Sequence, residues 1–130
     1  MVVTYLDSSA IVKLVVAEPE SAALRRHLRR RRPLVSSTLA RTEVLRALLP
    51  AGAAAVALGR SALGDIDLAR VNDRVLNAAG SLLPIELRSL DAIHLATALQ
   101  LGEVVRQLVT YDERMADAAR ALGLRTASPR

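Results

Sequence analysis

The chain opens with MVVTYLDSSA, in which Val2–Leu6 form an apolar run that ends on Asp7. A strand without a polar face must be covered on both sides, the situation of a parallel sheet packed between helices. The pattern recurs late in the chain, where QLVTYDERM again follows apolar residues with an acid. Thr-Tyr stands just ahead of the acid each time, as Thr4-Tyr5-Leu6-Asp7 and as Thr110-Tyr111-Asp112.

Between these runs the hydrophobic period alternates. Helical spacing covers Ser8–Val16 and Glu20 to about Arg31, Pro33 interrupts, and Leu34–Ser36 suits a short second strand. Ser37 or Thr38 is placed to cap a helix running toward Leu49 and stopped by Pro50. A helix over Ala53–Leu63, a strand over Ile66–Val71 and a helix over Asn72–Gly80 follow. Ser89 reads as the N-cap of SLDAIHLATALQLG, which Gly102 ends. Val105–Thr110 is the fourth strand, Asp112–Leu122 the last helix and Leu124–Ala127 a terminal strand. Strands alternating with helices predict an α/β fold, with residues 1–130 forming a single domain.

Composition narrows the chemistry. Hydrophobic residues make up 52% of the chain and aromatics only 2%, so the core must be aliphatic. Absence of cysteine excludes disulfides, thiolate zinc sites and a cysteine nucleophile. No apolar stretch reaches the roughly 18 residues needed to span a bilayer, and no basic leader precedes the first strand. These features predict a cytoplasmic protein without a membrane partner. The net charge of +5 favours a polyanionic partner, although 17 of 18 basic residues are arginine, as GC-rich coding alone would also produce.

Ligands of open α/β sheets bind beyond the carboxyl ends of the strands. If the first and fourth strands are parallel neighbours, about 4.8 Å apart, Asp7 and Asp112 emerge side by side there. Either acid could instead be a helix N-cap, and Asp91 suits the first turn of its helix. Glu43 could form a surface pair with Arg46. Gathered together, four carboxylates repel by about 4 kcal/mol per pair at 4 Å and an effective dielectric of 20. A hard divalent cation relieves that repulsion, activates water and neutralises charge on a phosphate. Carboxylates, such an ion and a basic surface together suggest phosphodiester hydrolysis.

At this level of detail the chain resembles the PIN-domain ribonucleases, and within them the VapC-like toxins of toxin–antitoxin pairs. The likeness rests on YLDSSAIVKLVVAEPES, SSTLARTEVLRAL, LRSLDAIHLATALQLG and LVTYDERMADAARALGL, which carry the acids in the family's order. It implies a three-layer sandwich, with a central parallel sheet of four to five short strands flanked by helices. It also implies RNA cleavage dependent on Mg²⁺ or Mn²⁺. Asp7 and Asp91 would be the principal metal ligands, and Glu43 and Asp112 the other acidic members, acting directly or through water. Ser9 and Thr110 fall where small hydroxyl residues line such sites. A small antitoxin would be the protein partner, and a homodimer is expected, with the apolar stretch Leu45–Leu63 as its candidate interface.

Other features weigh less. His94, three residues after Asp91, lies among core-type neighbours and is expected to be packed or hydrogen-bonded. His27, among arginines, is expected at the surface. RRHLRRRR, residues 25–32, could hold RNA backbone, but for its individual residues a solvated helix end is the favoured reading. Arg88, close to Asp91, is the better candidate for a phosphate contact. An aspartate-nucleophile phosphatase would want a second aspartate at position 9, where Ser9 stands, and a non-cleaving RNA- or partner-binding module is the remaining alternative.

Overall fold

The computed structural model describes all 130 residues. Five parallel strands form one sheet: β1 (Val3–Leu6), β2 (Leu34–Ser37), β3 (Asp67–Ala69), β4 (Val105–Val109) and β5 (Thr126–Ala127). Seven α-helices surround them: α1 (Ser8–Val15), α2 (Ser21–Leu28), α3 (Ala40–Leu48), α4 (Ala53–Gly64), α5 (Asp73–Ala79), α6 (Ser89–Leu101) and α7 (Glu113–Ala121). None is long and apolar enough to cross a membrane.

Across the sheet the order is β3-β2-β1-β4-β5. The chain steps outward from β1 through β2 to β3, then returns to place β4 on the other side of β1. Crossovers between parallel strands are right-handed, so reversing the direction of travel moves the helices to the opposite face. The packing agrees. Leu6, Leu34 and Val109 meet Ile11, Leu24, Leu28, Val44 and Leu48 from α1, α2 and α3. On the other face Tyr5, Val35 and Leu108 meet Leu95 and Ala98 of α6 and Met115 and Ala119 of α7. Period-two alternation in β1 and β4 thus feeds two separate aliphatic layers. Each fully buried Leu contributes roughly 1.5–3 kcal/mol.

The reversal also creates a crevice between β1 and β4 at their carboxyl ends, the usual ligand position in open α/β sheets. Tyr5 pairs with Leu108 and Leu6 with Val109, and the amide of Asp7 continues the ladder to the Val109 carbonyl at 3.2 Å. Asp7 and Thr110 therefore leave the sheet side by side.

Several boundaries differ from the sequence reading. The third strand is confined to Asp67–Ala69 and the last to Thr126–Ala127, because each is an edge strand held by a single neighbour. Helix α2 ends at Leu28, leaving the later arginines outside it. Arg88, not Ser89, occupies the N-cap of α6, and no side chain caps that end. The Ser37 hydroxyl accepts from the Leu39 amide in the turn ahead of α3, whereas neither Ser37 nor Thr38 is its N-cap. His27 is half-buried and hydrogen-bonded to the Gln107 side chain, so it is not a free surface residue.

Candidate active site

Asp7 is almost fully buried at the start of α1. Its Oδ1 accepts from the Ala10 amide at 3.0 Å, the N-cap bond, and from the Ser9 hydroxyl at 2.7 Å. Its Oδ2 accepts from the Thr110 hydroxyl at 2.5 Å. Ser9 and Thr110 each work twice, since Ser9 Oγ accepts from the Tyr111 amide and Thr110 Oγ1 from the Asp112 amide. The two hydroxyls thereby lock the end of β4 to the end of β1. Burial raises the Asp7 carboxyl above its ordinary range, and the hydrogen bonds from Thr110, Ser9 and Ala10 offset only part of that rise.

Asp112 caps α7, its Oδ1 accepting from the amides of Arg114 and Met115 at 2.9 and 3.2 Å. Capping and membership of the acidic group are thus not alternatives for Asp7 or Asp112, because one strand-to-helix turn supplies both. Asp91, in the first turn of α6, is half-buried. Its carboxyl is held above the ordinary value first by burial and then by the negative charges of Asp112 and Asp7, with Glu43 adding to them. Asp112, Asp7 and Glu43 thus lie near enough to Asp91 for their charges to act on it. No Lys, Arg or His side chain forms an ion pair with Asp7, Asp91 or Asp112.

Glu43 departs from the sequence reading. It does not pair with Arg46 but points inward, where Oε1 accepts from Ser8 Oγ and from His94 Nε2, both at 2.6 Å. Burial pushes the Glu43 carboxyl up, but the hydrogen bonds from His94 and Ser8 outweigh it and hold the group below the ordinary range. His94 is buried and hydrogen-bonded as expected, and it reaches the site all the same. Its Nδ1 lies 2.8 Å from the Tyr5 hydroxyl, with the two rings edge to face.

Arg88, Asp91, Asp112, Glu113 and Arg114 line an open cleft of about 280 Å³. Sequence reasoning assigns no role at the site to Arg114, Ser8 or Tyr5. The i,i+3 spacing of Asp91 and His94 was the one signal that pointed toward this network.

The donor set fits a hard divalent ion, being all oxygen and anionic, with only Glu43 paired to a basic side chain, His94. It is not a closed cage, since no three acidic or histidine side chains are gathered tightly enough to hold an ion unaided. Mg²⁺ commonly takes one or two carboxylates and completes its shell with water and substrate phosphate, so an open arrangement suits it.

A model of the PIN domain matches residues 4–121. The chain belongs to the PIN-domain family. Within that family it groups with the VapC ribonucleases, being 62% identical to Ribonuclease VapC46 of Mycobacterium tuberculosis over 129 residues, 99% of each chain. Ribonuclease VapC35 of the same species is 42% identical over 96% of each chain. Among solved structures, M. tuberculosis VapC20, a toxin that cleaves the sarcin–ricin loop, superposes with a TM-score of 0.79 at 16% identity, covering 97% of this chain and 99% of that one. A toxin–antitoxin complex from Klebsiella pneumoniae gives 0.75 at 19% identity over 98% of each chain. These two likenesses extend to the PIN fold alone. Membership removes the aspartate-nucleophile phosphatase reading, and the Ser9 hydroxyl donates to Asp7 where that chemistry would need a second acid.

Proposed function

We propose that this protein is an endoribonuclease dependent on Mg²⁺ or Mn²⁺ and the toxin of a toxin–antitoxin pair, acting in the cytoplasm to inhibit translation. The whole chain would act as one PIN domain. One observation carries the reading: acids from β1, α6 and the β4–α7 turn lie at the reversal of strand order, and none of the three is ion-paired.

Asp7 and Asp91 would hold the ion, with Glu43 and Asp112 engaging it directly or through water. A bound divalent ion lowers the pKa of water and neutralises charge developing on phosphorus. Ser9 and Thr110 fix both oxygens of Asp7 and hold that carboxylate in one orientation. Ser8 and His94 occupy Oε1 of Glu43, which leaves Oε2 to orient water or accept its proton. Arg88, with Arg114 beside it, would bind the scissile phosphate at the mouth of the cleft. No protein nucleophile is required.

A small antitoxin would inhibit by laying a segment into the same cleft. Homodimerisation would use the α3–α4 region, where Leu49 and Leu58 are exposed.

The deciding experiment incubates purified, antitoxin-free protein with RNA and Mg²⁺ or Mn²⁺. Cleavage should vanish with a chelator and in Asp7→Asn and Asp91→Asn. Undiminished cleavage by either variant would remove the metal-site assignment. Mapping RNA 5′ ends after induction, against Asp7→Asn, would identify the target.

A further inference from the structure

The parallel sheet gives the molecule two unlike rims. All strands end at the acidic rim described above, and all begin at the opposite one, where arginines collect. Helix α2 delivers Arg29 as its C-cap, and the chain continues through Arg30, Arg31 and Arg32 into β2. Arg106 enters from the start of β4, its Nη1 donating to the Arg30 carbonyl at 3.3 Å. Arg125 precedes β5, its carbonyl accepting from the Leu108 amide of β4. Arg29, Arg30, Arg32 and Arg125 are exposed. None of these six arginines forms an ion pair. Asp65 and Asp67 at the start of β3 and Glu103 ahead of β4 are the acids closest along the chain to this rim, Glu103 lining one pocket with Arg106 and Arg125, and the arginines outnumber them.

A helix dipole does not explain the gathering. Its effect fades within the last turn, which here holds Arg25, Arg26 and His27. Arg30 and Arg32 lie past the cap, and Arg106 and Arg125 come from other elements. Six arginines brought to one rim from three segments, none of them ion-paired, suit a ligand that brings a row of anions. Neither tyrosine can offer a stacking surface there, because Tyr5 is buried and Tyr111 lies beyond the carboxyl end of β4. Contact would therefore be with phosphates and not with bases.

We infer that this basic rim is a second RNA-binding surface, gripping the backbone of a structured RNA at a distance from the acidic cleft. The inference rests on the ribonuclease reading for the identity of the polyanion. Strands of four to five residues at about 3.3 Å each separate the rims by roughly 15 Å of sheet, before loops and side chains are added. A short oligonucleotide seated in the cleft does not reach the rim, whereas a folded stem–loop can engage both.

The test combines Arg29→Gln, Arg30→Gln and Arg32→Gln, all at exposed positions, and keeps Arg31, whose Nη1 donates to the His27 carbonyl. Arg106→Gln supplies an independent variant from another strand, and thermal melts confirm that both stay folded. Binding of a stem–loop RNA longer than one helical turn is measured in an Asp7→Asn background across a salt series. The triple variant should bind roughly tenfold more weakly, and the slope of log K against log salt should fall by about 2. With Asp7 intact, kcat/KM should fall comparably on the stem–loop while cleavage of a tetranucleotide is retained. Unchanged affinity and slope would overturn the inference, as would equal losses on both substrates. Failure of the parent protein to cut any RNA would instead count against the ribonuclease reading, because the binding measurement needs no cleavage.

Discussion

His94 donates from Nε2 to Oε1 of Glu43 across 2.6 Å, and its other ring nitrogen meets the Tyr5 hydroxyl at 2.8 Å. A carboxylate has no proton to give, so Nε2 carries the hydrogen, and in the neutral ring Nδ1 then accepts from Tyr5. The chain of contacts runs from Tyr5 in the sheet through His94 to Glu43. His94→Ala should lower activity by about 10–100-fold, the usual cost of losing a partner that orients a ligand, and should raise the Mg²⁺ concentration needed for half-maximal activity. Tyr5→Phe keeps the ring and removes one hydrogen bond, for a stability loss of about 1 kcal/mol and a smaller effect on rate. Metal titrations of both variants beside denaturant melts would check this. A melt shift without any change in metal requirement would leave His94 a packing residue only.

Thr110 ties two elements with one hydroxyl. It donates to Asp7 Oδ2 and accepts from the Asp112 amide, in a fully buried position. Thr110→Val preserves the shape and strands both partners, so a destabilisation of about 1–3 kcal/mol is expected. Activity should fall further than stability alone explains, because Asp7 loses the contact that fixes one of its two oxygens. Ser9→Ala should behave similarly but more mildly, since Asp7 Oδ1 keeps its bond from the Ala10 amide. Urea melts together with kcat measured well below the melting temperature would separate the two effects.

How much of this was legible in the sequence varies from residue to residue. The apolar runs before Asp7 and Asp112 gave away two parallel strands, because period and burial are written in side-chain type. Their adjacency followed only if the fold was right, and the β1–β4 pairing bears it out. Strand ends at the sheet edges were overestimated, since a partner strand, and not local preference, decides where an edge strand stops. Glu43 was assigned to the acidic group, but its alternative contact, Arg46, was misjudged. A spacing of i,i+3 names the nearest cation along a helix and says nothing of His94, 51 residues away. The unpaired state of the rim arginines depends likewise on which acids the sheet order brings near them.

Arg88 and Arg114 stand on opposite elements at the mouth of the cleft, one at the N-cap of α6 and the other in the first turn of α7. Both are exposed, so truncating either should disturb the fold little. A charge-assisted phosphate contact is worth about 1.5–3 kcal/mol, so Arg88→Ala or Arg114→Ala should raise KM by roughly tenfold or more on any RNA. A tetranucleotide should feel these losses as strongly as a stem–loop, which separates them from the distant rim. Steady-state kinetics on the two substrates would show it, and an unchanged KM for both variants would exclude these arginines from substrate binding.

Asp91 offers a test that needs no substrate. Burial and the charges of Asp112, Asp7 and Glu43 hold its carboxyl above the ordinary value of 3.8 in the folded, metal-free protein. For an acid whose folded pKa is raised, the native state binds the proton more tightly than the unfolded chain does. Stability from this group is therefore full below the ordinary value and declines as pH climbs to the raised one, after which the charged form is a constant burden. Asp91→Asn removes that burden. The metal-free variant should melt higher than the parent at pH 7, by roughly 2–4 °C, with the half-exposed position and solvent screening limiting the gain. The difference should shrink as pH falls toward 4. Millimolar Mg²⁺ should then raise the melting temperature of the parent, through preferential binding to the native state, and have little effect on the variant. Melts at four combinations of pH and Mg²⁺ decide the matter. A parent that is the more stable of the two without metal at pH 7 would mean that Asp91 is already neutralised within the protein, and the case for a cation between these acids would lose its electrostatic basis.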